Sequence, residues 1–232
     1  MIKNSTSCFK VSDSFLCPYC KSKEIIKNGR TKNGKQQYFC KKCDKRFIDY
    51  YTYNAYYPTT NETIITLTKE GLGTRSTARV LQISPTTLLK RIITIAKNIP
   101  QPTISKYKIY EVDEIRTFVK CKSQLIWIVY ALERATKSVV SFYIGLRTNK
   151  TLNVVLKTLH FGEAKCIFTD GLRNYQYLIP SSVHSVKRYG TNHIEIKNLT
   201  LRTHLKRLNQ RTICFSRSLL VLLSLLSIYF WI

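Results

Sequence analysis

Cys166-Ile167-Phe168-Thr169-Asp170-Gly171 decides the reading of this chain. Strand-forming residues lead into a carboxylate, and a glycine follows at once. Such a run predicts a short buried strand with Asp170 at its carboxyl end, the edge where α/β folds place their ligands. An aspartate in the turn after a strand is also common on its own account. Composition favours the first reading. Of 232 residues only 13 are acidic, against 38 lysines and arginines, for a net charge of +25. So basic a chain is expected to meet a polyanion (DNA, RNA or anionic lipid), with binding that weakens steeply in salt. Its 44% hydrophobic content excludes a disordered basic tail, because it suffices to bury a core.

Around that strand the second half of the chain gives a clear order. Strands are predicted at Lys108–Glu114, Gln124–Leu132 and Ser138–Ile144, then a helix over Asn149–Leu159 with Leu152, Val155, Leu156 and Leu159 on one face. After Asp170 come a short helix near Tyr175, a strand over Ser182–Tyr189 and a long helix from Asn192 to Leu208. The order β-β-β-α-β-α-β-α is that of a ribonuclease H-like fold, an α/β mixed sheet flanked by helices. In that layout the first and fourth strands are neighbours, so Asp113 is expected to face Asp170. The last helix offers one acid, Glu195, which is also the sole acid after Asp170. Carboxylates around a shared space bind Mg2+ or Mn2+ through oxygen, and such ions serve phosphodiester chemistry. Glu111 and Glu114 compete with Asp113. Glu111 shares its strand face and Glu114 points the other way, and Asp113 is preferred because Val112-Asp113 mirrors Thr169-Asp170.

The first half carries two further signatures. Cys17-Pro18-Tyr19-Cys20 and Cys40-Lys41-Lys42-Cys43, nineteen residues apart, have the spacing of a zinc ribbon. Each C-x2-C turn presents two thiolates, and two turns complete a tetrahedral Zn2+ site. Duplicated spacing favours structural zinc over a redox pair or disulfides. Residues 1–50 hold twelve lysines and arginines against four acids; Lys41, Lys42, Lys45 and Arg46 could meet phosphates or serve only as solvated charge. After a tyrosine-rich segment ending at Pro58, the pattern becomes helical. A glycine stop at Gly71 and Gly73, a short helix from Arg75 to Leu81, then Ser84-Pro85 opening a helix from Thr86 to Lys97, make a helix-turn-helix. Its second helix is expected in the DNA major groove, led by Thr86, Thr87, Lys90 and Arg91. The segment Asn98–Pro102 closes this part. The expected organisation is therefore a zinc ribbon (1–50), an all-α helix-turn-helix (51–100), a ribonuclease H-like domain (105–218) and an atypical apolar tail (219–232).

These pieces together resemble the insertion-sequence-1 family of DDE transposases, from about Cys17 to Ser218. Val112-Asp113-Glu114, Thr169-Asp170-Gly171, Ile194–Arg202 and Cys214–Ser218 match the family pattern beside the cysteine pairs and the helix-turn-helix. The resemblance implies catalytic acids Asp113, Asp170 and Glu195, with 24 residues between the last two, and Arg202 as the basic partner for a DNA phosphate. It implies binding to the terminal inverted repeats of the element, Mg2+-dependent strand cleavage and transfer, and a homodimer or larger synaptic complex. His184, His193 and His204 could be cast as bases, but histidine is common on basic DNA-facing helices; His193 is the first of them to consider. No secretory signal follows Met1–Ser5, so a cytoplasmic, nucleoid-associated protein with reduced cysteines is expected. A catalytically inactive DNA-binding repressor, or a decayed remnant, is the alternative function.

The tail Leu219–Ile232 departs from that family pattern. It is almost wholly apolar and, at fourteen residues, shorter than the roughly twenty of a membrane span. A reading-frame change in a decayed copy and a buried terminal helix both fit it.

Overall fold

Between Ile109 and Phe118 nearly every residue is buried on both sides of an extended chain, the pattern of a strand in the middle of a covered sheet. A computed structural model describes residues 9–10, 16–48, 50–209 and 215–232. The start of the chain through Cys8 and the Cys214 end of the Cys214–Ser218 match lie outside the described residues. Two compact units are present: one carries the cysteine pairs and runs to Thr60, with Leu81–Ile83; the other comprises Asn61–Val80 and Ser84–Ile232.

In the first unit, β1 (Phe9–Lys10) pairs with β5 (Tyr50–Tyr51), and β2 (Ile25–Arg30), β3 (Gln36–Cys40) and β4 (Arg46–Ile48) form an antiparallel sheet in that order. Gly34, at φ +75°, closes the β2–β3 turn. Its core is small. Cys17, Cys40, Tyr38 and Phe47 are buried, with the two rings stacked at 5.6 Å. So little apolar burial cannot hold a fold alone, so a cross-link is required.

The second unit begins with α1 (Thr60–Lys69), α2 (Thr74–Val80) and α3 (Pro85–Lys97). Ser84 caps α3 by accepting from Thr87 N–H at 3.0 Å, and Pro85 fills the first helical position, where no N–H is needed. Gly71 turns the chain out of α1 at φ +79°, and a side chain there would strike the His204 carbonyl at 2.5 Å. Only glycine fits. The sheet follows: β6 (Ile109–Phe118), β7 (Leu125–Glu133), β8 (Val139–Gly145), β9 (Cys166–Thr169) and β10 (His184–Ser185), in the order β10-β9-β6-β7-β8. β6 is antiparallel to β7 and parallel to β9. One sheet face packs on α4 (Asn149–Phe161) and α5 (Arg173–Leu178), with Leu152, Val155, Leu159 and Tyr175 in that core. The opposite face packs on α6 (Asn192–His204) and α7 (Leu219–Trp231), through Ile194, Leu201, Leu222 and Leu226. This is the ribonuclease H-like α/β architecture. Two expected elements are shorter than predicted. The strand over Ser182–Tyr189 keeps only β10, because Lys187–Gly190 turn back on themselves. The last long helix breaks at Leu205 and resumes as a 3-10 turn over Lys206–Leu208.

The apolar tail has a place in this core. Leu222, Leu226 and Ile228 of α7 are fully buried. Phe230 stacks on Tyr130 at 5.5 Å and meets Phe142 at 5.3 Å, while the Trp231 indole N–H donates to the Val139 carbonyl at 3.0 Å. The same helix packs against α3. Cover by the sheet and by α3 accounts for much of its apolar composition, while Leu219, Leu220 and Leu223 stay exposed. Among the described residues no helix is long and apolar enough to cross a membrane. Leu226→Ala is expected to cost about 2–5 kcal/mol of stability, measurable by urea unfolding, because it empties a fully buried site. A loss near zero would show that α7 is not packed on the sheet.

Candidate active site and metal centre

The parallel pairing of β6 with β9 puts Val112 opposite Thr169. One residue further on, Asp113 in the middle of β6 therefore lies beside Asp170, which follows the carboxyl end of β9. Asp113, Glu114 and Asp170 offer carboxylate oxygens that all lie within 4.8 Å of one another. Sequence reasoning placed Glu114 on the face away from Asp113 and preferred Asp113 for its likeness to Thr169-Asp170. Glu114 does face that way: its carboxylate takes hydrogen bonds from Tyr175 of α5 and from Arg147 at 2.9 Å on the α4–α5 face. β9 ends beside it, however, so carboxylates from both faces converge beyond the strand end.

Asp113 is held on the opposite face. Its Oδ1 accepts the Glu114 N–H at 2.7 Å and its Oδ2 accepts from Asn198 Nδ2 at 2.6 Å. Burial pushes its carboxyl up to about 6; the Glu114 N–H and Asn198 oppose this, and the negative charges of Glu114 and Asp170 reinforce it. Asp170 is turned by the Leu172 N–H, which donates to Oδ1 at 3.1 Å. Three crowded carboxyl groups, with Arg147 as their one ion-pair partner among the described residues, fit the demands of a hard divalent cation.

Glu195, the expected third acid, is exposed in the first turn of α6 and accepts a hydrogen bond from Thr191 Oγ1 at 2.7 Å. It is not part of the three-carboxylate group. Arg202 lies two turns further along α6, and its Nε is buried without a hydrogen-bond partner among the described residues. Glu111 is fully buried and anchors the start of α6, accepting from the Ile194 N–H at 2.9 Å and meeting His193 Nδ1 at 2.7 Å and Arg134 at 3.5 Å. His193 thus braces the helix end. His184 contacts Thr169 Oγ1 at 2.8 Å, and His204 contacts the Tyr229 hydroxyl at 2.7 Å.

In the other unit Cys17, Cys20, Cys40 and Cys43 bring four sulfurs within 4.8 Å of one another. The two turns are alike. Lys21 N–H bonds the Cys17 carbonyl and Asp44 N–H bonds the Cys40 carbonyl, with Lys21 at φ 58° and Asp44 at φ 55°. Sulfur separations of 3.6 Å (Cys17–Cys43) and 3.5 Å (Cys20–Cys40) approach the ~3.8 Å edge of a tetrahedron with ~2.3 Å Zn–S bonds. Burial pushes the Cys17 thiol up, but the N–H groups of Cys20 and Tyr19 and the nearby thiols outweigh it, bringing it down to about 6. Burial, with the neighbouring thiols, pushes Cys43 up to about 12. A cation bound here would displace the thiol protons.

On α3, Thr86 and Lys90 are exposed one turn apart. Thr87 shares the Ser84 cap at 2.8 Å, and Arg91 bonds Asn61 of α1 at 3.2 Å.

A ribonuclease H-like sheet with carboxylates clustered on its two central strands is the layout of a DDE-type transposase domain. Residues 108–230 match the family model described as IS1 transposase, and residues 51–94 match one described as InsA C-terminal domain. The chain belongs to the IS1 transposase family. It is 37% identical over 110 residues to the insertion element iso-IS1n protein InsB of Shigella dysenteriae, covering 47% of this chain and 84% of that protein. Against the insertion element IS1 protein InsB of Shigella flexneri it is 36% identical over 108 residues, covering 47% and 82%. The insertion element IS1 2 protein InsB of Escherichia coli (strain K12) is 35% identical over 108 residues, covering 47% and 65%. Among solved structures, a simian T-cell lymphotropic virus intasome in complex with PP2A regulatory subunit B56 gamma aligns at 16% identity and TM-score 0.39 over 70% of this chain and 66% of that one. That likeness is too weak to build on. The IS1 transposase match extends through α7 to residue 230.

Proposed function

We propose that this chain is an active transposase that binds the terminal inverted repeats of its element and cuts and joins DNA strands with a divalent metal. The observation that carries this reading is the convergence of Asp113, Glu114 and Asp170 within 4.8 Å in a chain of the IS1 transposase family. Asp113 and Asp170 hold Mg2+ or Mn2+, with Glu195 joining from α6 when DNA is bound. A metal held there would supply an activated oxygen nucleophile and offset charge on the leaving oxygen. Glu114, tied to Arg147 and Tyr175, sets the negative field that draws the cation in. Arg202 offers its unpartnered Nε to a DNA phosphate. Zn2+ on the four cysteines holds the ribbon folded. The protein works in the cytoplasm, on the nucleoid, as a dimer or larger complex that brings two element ends together.

α3 enters the major groove with Thr86 and Lys90 forward, while Thr87 and Arg91 keep the helix in shape and reach DNA at its edge. Lys90→Ala is expected to weaken end binding on all sequences alike and to lower the salt slope by about 1, as for a phosphate contact. Weakening confined to the true end sequence would make Lys90 a base reader instead. The proposed activity is tested with the purified chain, a duplex bearing the element end, a supercoiled plasmid and Mg2+. A joined end–plasmid product is expected. Binding without nicking or joining, in Mg2+ and in Mn2+, would leave only a DNA-binding protein.

A further inference from the structure

We propose that Asn198, aimed by Tyr130, is a positioning residue that holds the Asp113 carboxylate in its metal-binding orientation, and that α7 keeps this relay in place through Phe230. The inference rests on the reading of the carboxylates as a metal site. Tyr130 lies directly across the β6–β7 ladder from Asp113 and is fully buried. Its hydroxyl donates to Asn198 Oδ1 at 2.6 Å and also approaches the Ile194 carbonyl at 3.2 Å. A phenol has one proton, and the shorter contact takes it.

This donation decides which way the amide points. With Oδ1 engaged by Tyr130, the NH2 group must face the carboxylate, where Nδ2 meets Asp113 Oδ2 at 2.6 Å. Asp113 Oδ1 is held separately by the Glu114 N–H at 2.7 Å. Each carboxylate oxygen therefore has one protein donor, which fixes the plane of the group and leaves its remaining lone pairs for a cation. An aspartate at 198 would set a fourth negative charge in the cluster, and an aliphatic residue would leave Oδ2 unheld. Asn198 also stands one helical turn from Glu195, so the same contact fixes the helix that carries the third acid.

The tyrosine is in turn held by the chain's last helix. Phe230 stacks on the Tyr130 ring at 5.5 Å and 25°, and Phe142 packs against Phe230 at 5.3 Å. The apolar tail thereby bears on Asp113 through two side chains and two hydrogen bonds.

The test is Mn2+ binding to the zinc-loaded full chain, followed by electron paramagnetic resonance, beside the thermal midpoint of each variant. Asn198→Ala is expected to weaken Mn2+ about tenfold, the usual loss on removing the partner of a metal ligand. Tyr130→Phe keeps the ring stack, removes the hydroxyl and is expected to weaken Mn2+ about threefold. Phe230→Ala should resemble it, and the Asn198→Ala/Tyr130→Phe double variant should bind no worse than Asn198→Ala alone. Leu201→Val, a buried change on the same helix away from the carboxylates, should lower the midpoint and leave Mn2+ affinity unchanged. If Asn198→Ala and Tyr130→Phe bind Mn2+ as wild type does while Asp113→Ala does not, the relay is wrong. If Asp113→Ala also binds as wild type does, the metal-site reading has failed, and the proposal with it.

Discussion

Asp113→Asn is expected to reduce metal-dependent strand cleavage by about 10³-fold or more. Loss of an outer-shell partner alone costs about 10–100-fold in metal affinity or activity, and a direct ligand costs more. The substitution keeps the size of the side chain and an acceptor for the Glu114 N–H, losing only the contact with Asn198, so the fold should survive. Gel-shift affinity for end DNA should hold or rise slightly, since a negative charge leaves the face that phosphates approach. The variant should also lose a pH dependence. In the metal-free protein the Asp113 carboxyl sits at about 6, raised from 3.8 chiefly by burial. Mn2+ affinity should therefore fall as pH drops through about 6, where a proton competes for the carboxylate. The stability effect has the opposite sense. A raised carboxyl pKa gives a stabilising contribution that is complete below 3.8 and lost as pH rises through about 6. The metal-free midpoint should decline across that range in wild type and not in Asp113→Asn, and adding metal at neutral pH should restore it.

Cys40→Ser is expected to be nearly as damaging, by a different route. Cys40 is both a buried core residue of the ribbon and the first thiol of the second C-x2-C turn. Structural zinc contributes on the order of 10 kcal/mol to ribbons of this kind. Without its fourth sulfur the β2–β3–β4 sheet has only Tyr38, Phe47 and the remaining cysteines to bury. The variant should lose its equivalent of zinc, measured by release to a colorimetric chelator, and with it the ribbon signals in a heteronuclear NMR spectrum. End-DNA affinity should fall with them. One retained equivalent of zinc and an unchanged spectrum would contradict the assignment of the four thiols.

Much of this architecture is written in local pattern. The Cys166–Gly171 stretch, the Ser84-Pro85 cap and the paired C-x2-C turns each state their own geometry within a few residues, and each is found as read. Asp113 and Asp170 could be paired because strand order implies register. Glu114 could not be joined to them by the same rule. Strand alternation separates it from Asp113, and only the early end of β9 lets the two faces meet. Asn198 lies within the family-like Ile194–Arg202 stretch but carries no charge, so nothing singles it out there until its partners on β6 and β7 are in place. Glu195 is the converse case: its position in sequence is telling, yet its side chain turns to Thr191 rather than to the carboxylate group. The tail was the least legible part. An apolar run without helical periodicity looks alien beside an amphipathic family pattern, and the sheet and α3 that cover it are distant in sequence.

The central claim is that Asp113 and Asp170 make a DNA-cutting metal site, and one assay tests it most directly. Wild type and Asp170→Ala are incubated with labelled end DNA in Mg2+, and the release of a new 3′-hydroxyl at the element boundary is followed with time. The site described predicts cleavage by wild type that EDTA abolishes, and none by Asp170→Ala at equal DNA occupancy. Equal cleavage by both proteins, or none by either while both remain bound, would contradict it.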